Sequence, residues 1–167
     1  IYNCRIYRCP ADAFSFTGHK NLLIEHSVVD QRGNSQGVHA DAFVNIGTGA
    51  NNTFRYNVVR WNGQQIYIAE STHDNLAVYG NIFGGDSSGS QGAKGVHAQS
   101  ANPVVNFLLV YNNTFVNLGS SSLSLGSNTR GDVRNNIFFN VAAPSFGGTT
   151  HDFNWFESGE SRNGEAN

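Results

Sequence analysis

The chain has 167 residues, of which 39% are hydrophobic and 13% charged, and its formal net charge at pH 7 is −2. This length is enough for the core of one domain. The low charge argues against a nucleic-acid partner, because such proteins carry a basic patch. No run of apolar residues approaches the roughly 18 needed for a membrane-spanning helix, so we expect no membrane span.

A short motif recurs from one end of the chain to the other. It consists of an apolar residue, two variable residues, Asn or Ser, and two mostly apolar residues, as at positions 24–29, 54–59, 78–83, 110–115 and 133–138. The polar position is occupied in turn by Asn3, Ser27, Asn57, Asn81, Asn113 and Asn136, at intervals of 24, 30, 24, 32 and 23 residues. Such intervals are typical of a repeat protein, in which each unit buries its apolar face against its neighbours.

The segments around these motifs predict strands, because they are rich in Val, Ile, Phe and Tyr and bounded by Gly, Asn, Asp and Ser. In chain order we expect further strands at 14–16, 22–24, 37–46, 66–70, 95–99, 123–125 and 151–156. Longer polar loops are expected at 30–36 and 84–92. The run 37–46 alternates strictly, which predicts an inward face of Val38, Ala40, Ala42, Val44 and Ile46 and an outward face of His39, Asp41, Phe43 and Asn45.

One asparagine per repeat has a structural explanation. When the repeats stack, its amide can donate to one neighbour and accept from the next, which would satisfy the polar groups of a buried bend. Stacked units of 22 to 32 residues with such a ladder resemble the right-handed parallel β-helix of the pectate-lyase-like superfamily. The resemblance covers residues 1–156 and implies an all-β solenoid of about six coils. No cap precedes Ile1, so we expect truncation at the N-terminus, and residues 157–167 are expected to form a polar tail.

The outward positions of neighbouring strands are the best candidates for chemistry. Gly-Val-His-Ala occurs twice, so His39 and His97 take matching places with Tyr67 between them, unless Asn45 takes the place of His39 beside Tyr67. Parallel strands lie about 4.8 Å apart, so these side chains would line one groove. A histidine base and a tyrosine acid are the groups that β-elimination from a uronic acid requires.

Three more residues are assigned to this groove. Asp41 follows one outward step after His39 and is assigned to catalysis, whereas Gln99 follows His97 and is assigned to substrate binding. Lys94 is the candidate cation that would hold a uronate carboxylate or act as a base. The alternative is that all these positions are solvated or stacking side chains on a parallel sheet.

A second outward column lies beside the asparagine ladder. Its members are Glu25, Arg55, Tyr79, Tyr111 and Arg134. Tyrosine rings pack on sugars and arginines bind acidic groups, so we assign the four residues after Glu25 to substrate binding. Ordinary pairing between neighbouring coils is the alternative.

The cysteines and acids bear on disulfides and metals. Cys4 falls in the column of Val28 and Val58, which predicts a buried thiol, with a local disulfide to Cys9 and metal binding as alternatives. Lyases of the superfamily that the chain resembles commonly hold Ca²⁺ with clustered acids. The acids here are scattered singly, and calcium takes six or more oxygens, so we predict no cofactor and no metal ligands.

Two functions remain open, and with them the question of whether the chain is an enzyme. The first is a secreted or cell-surface enzyme active on polysaccharide, of the lyase type and acting on an acidic glycan. The second is a non-catalytic surface or appendage module for glycan binding, adhesion or assembly. A polysaccharide is the expected partner in both, and exposed strand edges at the coil ends predict end-to-end self-association.

Overall fold

The structure, a computed structural model, describes residues 1–9, 11–31, 41–61, 63–69, 72–85, 93–98 and 105–157. These residues form 18 short strands and no helix. Every pairing between the strands is parallel, and the strands are arranged in three sheets. The last residues of the predicted polar tail, 158–167, lie outside the described residues.

Successive strands within a sheet come from successive turns of the chain, and the three sheets contain seven, five and six strands. Sheet 1 contains β1 (Arg5–Tyr7), β4 (Val28–Gln31), β7 (Val58–Trp61), β10 (Ile82–Gly84), β13 (Thr114–Val116), β16 (Ile137–Phe139) and β18 (Trp155–Phe156). Sheet 2 contains β2 (Phe14–Thr17), β5 (Phe43–Ile46), β8 (Gln64–Ala69), β11 (Lys94–Ala98) and β14 (Leu123–Leu125). Sheet 3 contains β3 (Leu23–Glu25), β6 (Gly49–Arg55), β9 (His73–Tyr79), β12 (Val105–Tyr111), β15 (Gly131–Arg134) and β17 (Thr150–Asp152). This arrangement is consistent with a parallel β-helix.

The predicted asparagine ladder is confirmed. The side-chain amide of Asn57 donates to Oδ1 of Asn81 at 3.1 Å, and the same contact continues to Asn113, Asn136 and Asn154. Each Oδ1 also accepts the backbone N–H of the preceding ladder residue. Each amide nitrogen also donates a hydrogen bond to a backbone carbonyl. The ladder amides therefore have hydrogen-bond partners within the buried bend. Asn154 joins the ladder although it follows Asn136 by 18 residues.

The apolar pair after each ladder position divides between the core and the outer surface. The second residue of the pair points inward, as in Val29, Val59, Phe83, Phe115, Phe138 and Phe156. The four phenylalanine rings stack with centroid separations of 5.0, 5.1 and 4.8 Å. The first residue points outward, and Ile82 and Ile137 are 47% and 43% exposed. From β10 to β18 the core of sheet 1 is therefore a continuous stack of rings.

The ladder prediction was wrong by one residue at its N-terminal end. Cys4 rather than Asn3 takes the ladder position, because its backbone N–H donates to Oγ of Ser27 at 3.1 Å and Arg5 pairs with Val28. Asn3 has a φ of 52°, the left-handed conformation that precedes each ladder position. Asparagine tolerates that conformation, so its identity suits either position. Cys4 is consequently exposed rather than buried, and it forms no disulfide.

The alternation predicted for 37–46 is confirmed at Ala42, which lies in the core, but is wrong from Phe43 onward. Phe43 points inward, where its ring packs 4.9 Å from that of Phe14 and 4.1 Å from that of Phe54. Ala42 and Phe43 both belong to the core, so the alternation breaks just before β5. Val44 therefore takes the outward side. A shift of one residue exchanges the two faces of a strand, so Phe43 takes the inward place that the pattern gave to Val44.

Two further asparagine ladders occur at other corners and were missed by the sequence analysis. On the exposed surface, Asn51 donates to Asn21 at 3.2 Å and Asn75 donates to Asn51 at 2.9 Å. Asn140 donates to Asn117 at 2.7 Å in the same way. All five residues have positive φ, a conformation that asparagine adopts more readily than most side chains. They lie outside the recurring motif, which explains why they were missed.

A buried histidine lies at the start of β9. Nδ1 of His73 is 3.3 Å from Nδ2 of Asn45. A Cβ at Gly49 would lie 2.7 Å from the same nitrogen, so only glycine fits there. Burial lowers the pKa of His73, and the backbone carbonyl of Ala69 and the charge of Asp74 oppose this effect more weakly. The imidazole is therefore neutral in the folded protein near neutral pH.

We expect the stability of the protein to fall as the pH is lowered below about 6.5, the ordinary pKa of histidine. Below that pH the unfolded chain binds a proton at His73 that the folded chain does not, so unfolding is favoured. One such proton lowers the free energy of unfolding by at most about 1.4 kcal/mol per pH unit. Urea unfolding between pH 7.5 and about 5 should show this slope, and His73→Asn should reduce it. An equal slope in both proteins would contradict the assignment.

Candidate functional site

Tyr67 and His97 are direct neighbours on the outer face of sheet 2. They are partners in the register of β8 and β11, and their ring centroids are 5.3 Å apart. Both side chains are half-buried. The flanking residues Ile66, Ile68 and Val96 are buried in the core, which turns the two rings outward because side chains alternate along a strand. The sequence therefore predicted correctly that Tyr67 and His97 are neighbours.

Lys94 contacts one member of the pair, His97. Its Nζ lies 3.4 Å from Nδ1 of His97. An ammonium group has only donors, so this contact is a hydrogen bond when Nδ1 carries no proton.

The positions on either side of the pair are almost completely buried. Val44 pairs with Tyr67 and Ser124 pairs with His97, and they are only 3% and 4% exposed. The residue beside Tyr67 on β5 is thus neither of the two considered, because Asn45 pairs with Ile68. The pair lies on an enclosed section of the outer face.

The remaining residues assigned to this groove are either buried or outside the described residues. The carboxylate of Asp41 is buried and accepts the backbone N–H of Gln64 at 3.2 Å. It anchors the start of β8, and its assignment to catalysis stays a prediction. His39 and Gln99 lie outside the described residues.

The second group of assigned residues lies on a different sheet. Arg55 in sheet 3 contacts Oε2 of Glu25 at 2.6 Å and donates to the hydroxyl of Tyr79 at 2.9 Å. The rings of Tyr79 and Tyr111 stack at 4.7 Å, and Arg134 is the register partner of Tyr111. Sheet 3 therefore brings all four assigned residues together. They lie on a different sheet from Tyr67 and His97, which belong to sheet 2. Pairing between coils, the alternative considered for them, does occur.

The electrostatics of this second group follow from its contacts. Hydrogen bonds to Tyr79 and then to Glu25 raise the pKa of Arg55, which is charged throughout. Burial raises the pKa of Tyr111, and the neighbouring hydroxyl of Tyr79 adds to the effect. The tyrosine is therefore neutral at physiological pH.

Two aromatic residues of the same surface were missed. The ring of Tyr56 lies 5.5 Å from that of Tyr79, and the ring of His26 lies 5.3 Å from that of Tyr56. Both occupy the position just before the ladder residue, which the motif treated as variable. The aromatic character of that position in two successive repeats was the available signal.

The structure adds two findings on metals and membranes. Within the described ranges, no three His, Cys, Asp or Glu side chains come together where they could hold a metal ion. None of the described residues belongs to a helix that is long and apolar enough to cross a membrane.

Comparison of the chain with protein-family models, with curated proteins and with solved structures finds no match. The fold defines it as an all-β protein of three parallel sheets with an internal asparagine ladder at the bend from sheet 3 to sheet 1.

Proposed function

We propose that the protein is a secreted or cell-surface polysaccharide-active protein, most simply a lyase acting on an acidic glycan. The fold proposed with it is a right-handed parallel β-helix of about six coils, related to the pectate-lyase-like superfamily. The observation that supports the activity is the group of Tyr67, His97 and Lys94, which combines a phenol, an imidazole and an ammonium on one outer face. Such a group has the functional types that β-elimination next to a carboxylate requires.

The proposed reaction cleaves the bond between two sugars without adding water. The imidazole of His97 takes the proton from C5 of a uronate, and the electrons of that C–H bond form the double bond between C4 and C5. The bond from C4 to the bridging oxygen breaks, and the phenolic proton of Tyr67 passes to that oxygen. The imidazolium of His97 then returns a proton to the phenolate of Tyr67, which restores both groups. Lys94 has three donors, so its ammonium can contact the uronate carboxylate, whose growing charge it would stabilise.

Replacing Tyr67 with Phe should lower the activity by a factor of about 100 or more, because the group that gives a proton to the leaving oxygen is lost. The measurement is the rise in ultraviolet absorbance from the unsaturated uronate, on polygalacturonate, alginate and other acidic polysaccharides. Tyr7→Phe, on the exposed outer face of sheet 1, is the matched control and should retain full activity. No absorbance rise with the unchanged protein on any of these polymers, or equal rates for the two variants, would reject the lyase proposal.

A non-catalytic module for glycan binding, adhesion or assembly is the second proposal. The burial of Val44 and Ser124 on either side of the pair favours it, because an open catalytic groove would leave such neighbours accessible. In this case the acidic polymers should bind without any change in absorbance. Tyr67→Phe should then change affinity by no more than about tenfold, as the loss of one hydrogen bond does.

A further inference from the structure

A continuous strip of aromatic rings follows the corner between sheet 3 and sheet 1. It consists of Tyr2, His26, Tyr56, Tyr79 and Tyr111, and we call it the aromatic strip. Successive ring centroids are 5.6, 5.3, 5.5 and 4.7 Å apart. The spacing follows from the strand separation in a parallel sheet, which is about 4.8 Å. The strip therefore runs along the axis and places one ring on each of five successive turns of the chain.

The strip remains exposed because the backbone turns its side chains outward. His26 and Tyr56 occupy the left-handed position before the ladder residue, where the chain bends from one sheet to the next. Tyr56 extends across Gly80, and a Cβ there would lie 2.6 Å from its ring. Gly80 also has a φ of +67°, so any side chain at this position would be strained and would push the ring away.

Tyr56 is the ring best placed to stack on a ligand. It lies in the middle of the aromatic strip, is 48% exposed, and is perpendicular to Tyr79 with an interplanar angle of 87°. Tyr79 and Tyr111, in contrast, face each other at an angle of 9° and cover each other's faces on one side. The guanidinium of Arg55 lies 5.7 Å from the centre of the Tyr56 ring, which holds the ring in place.

The charges along the aromatic strip are balanced. Arg55 is in contact with Glu25, and Arg134 is in contact with Asp132 at 3.0 Å. Each arginine thus has an acidic partner within the described residues. An acidic polymer would have to displace these partners, whereas a neutral sugar would not. The charge pattern therefore selects an uncharged ligand.

We propose that the aromatic strip binds an extended chain of neutral sugars lengthwise along the axis, with Tyr56 as the main stacking ring. The separation between successive rings is comparable with the length of one pyranose unit, so each turn can contact one unit. The apolar faces of sugar rings pack on aromatic rings, and the paired arginine and glutamate offer donors and acceptors to the hydroxyl groups. This site lies on sheet 3 and does not rest on the function proposed for sheet 2.

Tyr56→Ala tests the proposal in the full chain, by affinity electrophoresis and calorimetry with soluble neutral β-glucan, mannan and arabinan. At least one of these polymers should bind the unchanged protein, and Tyr56→Ala should weaken that binding about tenfold. Phe153→Ala is the matched control, because Phe153 has the same left-handed backbone and is 63% exposed but makes no part of the strip. It should bind within about twofold of the unchanged protein, and so should Tyr56→Phe, which keeps the ring.

Further arms separate this site from the group on sheet 2. Tyr67→Phe should leave neutral-glycan binding unchanged, whatever it does to activity on acidic polymers. The binding should also persist when the salt concentration is raised to about 0.5 M, since screening weakens only charged contacts. The proposal is overturned if no neutral polymer binds, if Tyr56→Ala and Phe153→Ala lose affinity equally, or if polygalacturonate alone binds and salt releases it.

Discussion

Phe115→Ala is expected to lower the free energy of unfolding by about 3–5 kcal/mol. Phe115 is completely buried, and its ring stacks between those of Phe83 and Phe138 at 5.0 and 5.1 Å. Truncation removes the apolar surface of the ring and both stacking contacts, and it leaves a cavity between two turns. Urea unfolding followed by circular dichroism measures the change.

Phe139→Ala provides the control, because Phe139 lies on the outer face of sheet 1 and is 43% exposed. Its replacement should cost less than about 1 kcal/mol. A loss of similar size for the two variants would mean that the rings near Phe115 do not form the continuous stack. Since each turn of a repeat protein contacts only its neighbours, Phe115→Ala should also make the transition less cooperative.

Asn81→Ala should cost about 2–4 kcal/mol, because it interrupts the internal ladder. Oδ1 of Asn81 accepts the backbone N–H of Asn57 at 2.9 Å, and its Nδ2 donates to the carbonyl of Phe54 at 2.9 Å. Alanine leaves both of these backbone groups buried without that partner, and each such group costs about 1–3 kcal/mol. The free energy of unfolding in urea is again the quantity to measure.

Asn106→Ala is the matched control for the ladder. Asn106 also donates through its side chain to the next turn, to Asp74 at 2.8 Å, but this contact is exposed. Water can replace the lost contact, so the change should stay below about 0.5 kcal/mol. If Asn81→Ala were equally mild, the amides in the bend would not be buried and stacked as the structure has them.

The fold could be predicted largely because its signal repeats. A single inward asparagine such as Asn113 is uninformative, but the recurrence of the motif at similar intervals indicated stacked strands and the ladder. The irregular places were predicted less well. At Asn3 the same residue type suits both the ladder and the left-handed position before it, and only the partner on the next strand distinguishes the two.

The candidate site could be predicted only in part. Tyr67 and His97 were brought together because each stands between two core residues of a short strand, so their outward direction follows from alternation. The partner of Tyr67 on β5 was not predictable, because β5 begins after a break in the alternation. Val44 takes that place. Two of the five rings of the aromatic strip were found, because Tyr79 and Tyr111 lie in strands. The other three, Tyr2, His26 and Tyr56, lie outside the strands and were missed.

The sequence by itself determined the class of fold, because the motif places Asn or Ser and an inward apolar residue on successive turns, and a stack of parallel strands satisfies both. The tertiary structure alone decided which side chains share a surface. Strand direction and register set the neighbours across turns, and a shift of one residue exchanges the inner and outer faces. For that reason Phe43 entered the core, and Arg55 and Tyr79 came to lie on a different sheet from Tyr67.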